Sequence, residues 1–322
     1  MLKLLNPIMR LVEIPFLLVQ KRLGIGMTAW LFLAPNLALF SLFTFLPIIL
    51  NFSYATTGGE AILLRDRPDV GFQNFGNLLE CENVLDPSSC RNDLFWRAVW
   101  NTVWFVVFQV GIMVIAALAT AIVLNRKIRA RGLFRGVFFF PVLLSPVVVA
   151  LIWKWILQRN GLLNAGLESL GFETINWLIE RHWAFFWSTF ISIWAHMGFY
   201  TLILLAGLQA IPQDVYEAAL MDRASPWRCF RRITLPLLSP TLLVVLVLAL
   251  IKGVQTFDEI YAFTGGGPGS ATTLIMQFIY ETGFGVQPRL LGVAAAAAIM
   301  LAMVLIFLTA LQFWINRKKV DG

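Results

Sequence analysis

Six apolar runs, each about as long as a hydrocarbon core is thick, limit this chain to one kind of fold. A bilayer core of about 30 Å needs about 20 apolar residues per helix, and the runs 28–50, 98–124, 136–157, 184–208, 237–263 and 290–315 all meet that length. In lipid every backbone N–H and C=O must find its partner inside the protein, so each run is predicted to be a helix. The sequence is 59% hydrophobic and 13% charged, where a soluble domain carries about 25% charged residues. The expected fold class is therefore an all-α integral membrane protein with six transmembrane helices. The first run is too long for a signal peptide and follows a segment holding Lys3, Arg10, Lys21 and Arg22, so it is expected to stay in the membrane.

A formal charge of +7 raises the question of nucleic acid, and the placement of the basic residues answers it. With the N-terminus inside, sixteen of the 25 Lys and Arg residues fall on inner segments, grouped around Lys3 to Arg22, Arg126 to Arg135, Arg223 to Arg232 and Arg317 to Lys319. This is the positive-inside pattern. It puts both termini in the cytoplasm and leaves no need for a nucleic-acid partner. The chain then divides into an N-terminal segment 1–27, a membrane domain 28–315 and a tail 316–322. Within the membrane domain, 51–96 is a periplasmic elaboration and 211–236 a cytoplasmic loop. The short run 8–19, interrupted by Arg10, Glu13 and Pro15, is expected to lie on the inner leaflet. Cys81 and Cys90 fall in the outer segment, where an oxidising periplasm permits a disulfide; two free thiols are the alternative. Cys229 falls inside and is expected to be reduced.

The loop from Tyr216 to Pro240, YEAALMDRASPWRCFRRITLPLLSP, is the only polar segment that suggests a dedicated partner. Asp214 is placed to cap a short helix and Glu217 to complete a capping box, which predicts a helix over 215–221. Ser225-Pro226 reads as a fresh N-cap with a first-turn proline, so a second short helix is expected towards Ile233. Two short helices joined at Arg223-Ala224-Ser225 would make a knob outside the membrane. Read alone, Glu217 is equally well a capping carboxylate on an ordinary solvated loop.

The spacing of Glu217-Ala218-Ala219, Asp222, Ala224, Trp227, Phe230, Ile233, Leu235 and Pro236 resembles the EAA loop of ABC importer permeases. That resemblance implies a coupling helix docked into a groove of a cytoplasmic ATPase. Glu217 would meet a charged partner there, and Ala218 and Ala219 would allow close approach. Arg223 stands where the family's pattern has glycine, which would ease a left-handed turn.

The run KGVQTFDEIY followed by FTGGGPG resembles the fifth span and G-G-P signature of carbohydrate ABC permeases. Gly71, Asn74, Phe75, Phe95, Asn101 and Thr102 resemble elements before their second span. The resemblance implies a substrate path lined by Gly253, Gln255 and Thr256 on one helix and Trp194, His196, Phe199 and Tyr200 on another. Amides and hydroxyls suit sugar hydroxyls, and aromatic rings suit sugar faces; aromatics at helical spacing are equally bundle packing. Lys252, read as lying near the middle of the fifth run, needs water or a partner. It is either paired with a carboxylate such as Glu259 or facing the solute, and in the second case the solute carries a negative charge, as a uronate oligosaccharide or a sugar phosphate does.

The family resemblance further implies a bacterial inner-membrane assembly with a second homologous permease subunit, two copies of an ATPase, and a periplasmic solute-binding protein delivering a carbohydrate. ATP and Mg would belong to the partner ATPase. This chain is expected to bind no cofactor, since Gly265-Gly266-Gly267-Pro268 lacks the lysine and Ser/Thr of a P-loop. Two histidines make no metal cluster, and no catalytic set stands out. The competing class is an ion-coupled secondary transporter using Lys252, Asp258 and Glu259; a membrane enzyme acting on lipid-linked sugars is a further one.

Overall fold

The computed structural model describes residues 20–21, 24–126, 129–285 and 287–320, so the interfacial segment expected over 8–19 lies outside it. The chain begins with α1 (Gly24–Ala55), the short helix α2 (Gln73–Leu79) and α3 (Asp93–Asn125). Next come α4 (Arg131–Phe139), α5 (Pro146–Leu157), α6 (Leu162–Ser169) and α7 (Arg181–Gln209). The loop helix α8 (Gln213–Met221) leads into α9 (Pro226–Val254), and α10 (Asp258–Thr264), α11 (Ile275–Tyr280) and α12 (Leu291–Val320) complete the chain. Among the described residues the only extended pairings are isolated bridges, Thr57 with Asp69 and Cys81 with Cys90.

Among the described residues five helices, α1, α3, α7, α9 and α12, are long and apolar enough to cross a bilayer, or six when the bent pair around α4 and α5 is counted as one broken span. The third run is therefore not the single helix expected over 136–157. Its two halves, Arg131–Leu143 and Pro146–Ser169, meet at 100°. Pro146 opens α5 at its first turn, and the residue before it, Ser145, is extended at ψ 136°. A proline ring disfavours the helical region for its predecessor, so PVLLSP is a corner rather than an entrance.

The similar PLLSP stretch does the opposite. Helix α9 runs without a loop from Pro226 through Pro236 and Pro240 to Val254. The short second helix expected to end near Ile233 is instead its first turns. A π turn over Phe230–Thr234 sits just before Pro236, with the Leu235 N–H reaching back to the Phe230 carbonyl. The run 237–263 is then broken at Gln255–Phe257, between α9 and α10.

The main core lies where α3 crosses α7. Met113, Ala117, Ala121 and Leu124 form a buried stripe along α3 against Tyr200, Leu204, Leu205 and Leu208 of α7, and Leu238, Val245 and Ala249 of α9 close it. Small residues at such positions let backbones approach, which is how helices gain contact in lipid. Gly198 shows the limit: any side chain there would collide with the carbonyl of Phe138.

A second core lies towards the 51–96 segment, where Ala55, Leu78, Phe95, Ala98, Phe278 and Ala295 to Ala297 pack together. Polar side chains tie its loops down. Asn74 Nδ2 donates to the carbonyls of Ala55 (2.8 Å) and Thr57 (3.0 Å). Asn101 Nδ2 donates to the carbonyls of Ser270 (2.8 Å) and Thr273 (3.1 Å), and Thr102 Oγ1 accepts from the Ile275 amide at 2.9 Å. The glycine loop that these residues hold places Gly265 and Gly266 at φ 61° and 89°, conformations that glycine reaches without steric cost. The 51–96 segment also holds the Cys81–Cys90 disulfide, and Cys229 is free.

Candidate functional site

The α8 loop is built by local backbone chemistry. Its N-cap is Pro212, with no side-chain hydrogen bond, so Asp214 is not the cap and Glu217 closes no capping box. Proline holds Pro212 at φ −58° and ψ 139°, which turns the chain into the helix without help from a side chain. Asp214 falls in the first turn, where its charge faces the positive end of the helix dipole. At the other end the amides of Arg223 and Ala224 donate to the carbonyls of Leu220 and Ala219, both at 3.0 Å. Those two bonds are a Schellman motif, which requires a left-handed residue between them. That residue is Arg223, at φ 50°. The expected joint at 223–225 is present, and the arginine in the glycine position takes the glycine's conformation. Ser225 Oγ accepts from the Arg228 amide at 3.4 Å and Pro226 starts α9, as the sequence predicts.

Tyr216 and Thr234 hydroxyls, 3.0 Å apart, fasten α8 to α9. Ala219 is buried against this base, whereas Glu217, Ala218, Asp222 and Arg223 are exposed and Ala224 is half-buried. Beside them Met221 is 86% exposed, Leu220 69% and Trp227 68%. Large apolar side chains bared on a polar loop and ringed by charge are the composition of a docking surface.

A second polar group sits inside the bundle. Glu259 of α10 is 1% exposed. Ser192 Oγ donates to its Oε1 at 3.3 Å, and Gln109 Nε2 donates to Ser192 Oγ at 3.4 Å. His196 Nδ1 lies 2.9 Å from the Ser192 carbonyl and 3.9 Å from Glu259 Oε1. Glu259 Oε2 and Gln109 Oε1 have no partner among the described residues. Gly253 packs directly on this group, since a Cβ there would lie 2.5 Å from Gln109 Oε1.

Of the residues expected to line a substrate path, the structure brings His196 and Gly253 to this cluster. Thr256 is buried but its hydroxyl turns back to the Lys252 carbonyl at 3.0 Å, and Gln255 is the exposed cap of α9. The other three point elsewhere around α7. Trp194 stacks edge-on against Trp153, Tyr200 is in the α3–α7 core and Phe199 is exposed. Lys252 is in the last turn of α9, just before the run breaks at Gln255–Phe257, and not in the middle of one continuous helix. There its charge faces the negative end of the helix dipole. Glu259 bonds to Ser192 instead, and no carboxylate among the described residues is within ion-pair distance of Lys252. Gln109 and Ser192 were not among the expected residues. An amide in the middle of an apolar run is the signal that points to Gln109.

Residues 97–321 match the family described as binding-protein-dependent transport system inner membrane component. The chain is 37% identical over 247 residues to the trehalose/maltose transport system permease protein MalF of Thermococcus litoralis, covering 76% of this chain and 80% of that one. It is 34% identical over 295 residues to the lactose transport system permease protein LacF of Rhizobium radiobacter, covering 90% and 94%. The sulfoquinovosyl glycerol transport system permease protein SmoG of Agrobacterium fabrum is 33% identical over 303 residues, 92% of each chain. In fold, a chain of a bacterial ABC transporter involved in import of the acidic polysaccharide alginate superposes with a TM-score of 0.78 over 93% of this chain and 98% of that one, at 24% identity. The chain belongs to the family of inner membrane components of binding-protein-dependent transport systems.

Proposed function

We propose that this chain is one of two homologous membrane subunits of an ATP-driven carbohydrate importer, with its α8 loop docked on one of two cytoplasmic ATPase copies and a periplasmic binding protein delivering the solute. The observation that carries the reading is the protrusion itself: Leu220, Met221 and Trp227 bared beside Glu217 on a helix that Pro212 opens and a Schellman turn closes. The related permeases named for trehalose/maltose, lactose and sulfoquinovosyl glycerol support a saccharide or glycoside as cargo. ATP and Mg stay on the partner, and this chain performs no bond-making step.

His196, Gly253 and Lys252 are the residues of the proposed path that this chain offers to the solute. The lysine, without an acidic partner among the described residues, favours a solute bearing negative charge. The experiment is uptake into vesicles by the assembled complex. Glu217→Lys should abolish ATP-driven uptake while all subunits still co-purify, and Lys252→Met should weaken uptake of an acidic saccharide more than that of a neutral one. Undiminished uptake by the Glu217 variant overturns the coupling role. Uptake that persists without any ATPase subunit would favour an ion-coupled carrier instead.

A further inference from the structure

Where α3 ends and α4 begins, on the α8 side of the bundle, a cavity of about 1060 Å³ opens among Arg126, Arg131, Arg135, Gln209, Tyr216 and Trp227. Its charge is unbalanced. With the Gln209 amide turned to face them, its one oxygen accepts from both Arg135 Nη2 (2.9 Å) and Arg131 Nη2 (2.5 Å). The Nε of each of these two arginines is buried with no partner, and none of the three arginines pairs with a carboxylate among the described residues. Arg131 and Arg135 also sit one turn apart at the N-terminal end of α4, a helix with no acidic residue in its first turn. Like charges at that spacing repel, and cations are disfavoured at the positive end of a helix dipole. Three features that each oppose positive charge, gathered around one cavity, call for an anion with several oxygens.

We propose that this cavity binds the phosphodiester headgroup of an anionic lipid of the cytoplasmic leaflet, held by Arg131 and Arg135 with Arg126 at the rim. Planar guanidinium groups match phosphate oxygens in paired hydrogen bonds. The opposite face of α4 argues for lipid over a soluble anion. Leu133, Val137 and Phe140, spaced at three and four residues, are exposed on it, while Phe138 packs inward against the α3–α7 core. A short helix with one bared apolar face and arginines on the other lies at the depth of the headgroups. The site rests on the cytoplasmic placement of the α8 loop proposed above.

Native mass spectrometry of the full chain, purified in neutral detergent with whatever subunits accompany it, tests this. The probes are phosphatidylglycerol, phosphatidylcholine and inorganic phosphate. One phosphatidylglycerol per copy should be retained, at least about tenfold in preference to phosphatidylcholine, and Arg131→Gln with Arg135→Gln should reduce retention by about tenfold or more, since each variant removes charged hydrogen bonds to the headgroup. Arg131→Lys with Arg135→Lys keeps the charge and should retain the lipid more weakly than wild type and more strongly than the glutamine pair. Equal retention by wild type and glutamine variants, or no preference over phosphatidylcholine, overturns the site. Binding of inorganic phosphate with no lipid retained overturns the lipid as its source. The readout needs no uptake, so a failure here leaves the coupling role of α8 standing.

Discussion

The amide of Ala224 reaches the carbonyl of Ala219 at 3.0 Å only because Arg223 between them turns left-handed, at φ 50°. For a residue with a Cβ that conformation costs about 1–2 kcal/mol. Arg223→Gly should therefore strengthen the closure of α8 by about 1 kcal/mol, slowing hydrogen exchange at Ala224 about fivefold. Arg223→Val should accelerate the same exchange. Identical rates in all three proteins would mean the turn is held by something other than its backbone.

Thr102 accepts from the Ile275 amide at 2.9 Å while donating to the Ala98 carbonyl at 2.7 Å. Thr102→Val keeps the shape and strands a buried N–H, which should destabilise the protein by about 1–3 kcal/mol. The expected result is a lower thermal unfolding midpoint in detergent, with Thr102→Ser close to wild type. A midpoint unchanged by valine would show that Ile275 finds another acceptor.

Cysteine labelling separates the two faces of the molecule. Intact, non-reduced protein should take up alkylating reagent at Cys229 alone, and reduced, unfolded protein at all three cysteines, because Cys81 and Cys90 are joined. Labelling of all three before reduction would contradict the bridge.

Acid should loosen the turn inside that bridge. The Ser88 hydroxyl and amide donate to Asp86 Oδ1 at 2.6 and 3.1 Å, and these two bonds, the hydroxyl's first, hold the carboxyl below its ordinary value. A lowered folded value means the stabilisation is complete above the unfolded carboxyl's pKa of about 3.9 and fades as the pH falls through the folded one. Exchange of the Ser88 amide, corrected for its intrinsic pH dependence, should rise below about pH 4 in wild type. In Asp86→Asn the profile should be flat; a step that survives there would assign the effect to another group.

What could be read in the sequence and what could not divide along the range of the interactions. Ser225 and Pro226 make an N-cap within one turn, and the joint at Arg223 is likewise local, so the loop was legible. Asp214 was not the cap because Pro212, two residues earlier, imposes the turn by its ring alone. The two proline echoes, PVLLSP and PLLSP, differ by one residue in the spacing of their prolines, five against four, and in setting. The second stays helical next to a π turn, and the first bends by 100°. The cluster of Gln109, Ser192 and Glu259 lay beyond sequence reasoning, since its members come together across separations of 83 and 67 residues through the packing of α3, α7 and α10. Lys252 was misplaced for a related reason: the end of α9 depends on where Gln255–Phe257 leaves the helix, and nothing in an apolar run marks that point. The family resemblance gave the fold and the family without that packing.

Helix α9 gives the protrusion its reach. It spans 29 residues with no loop between the base of α8 and the turn that carries Lys252 and Gly253, a rod of about 43 Å at 1.5 Å per residue. Pivoting such a lever by about 5° at its π turn, about 20 residues from the tip, sweeps that tip through about 3 Å, on the order of the length of a hydrogen bond. A small displacement imposed on such a rod at its α8 end is thus enough, at the far end, to separate polar groups that touch from polar groups that do not.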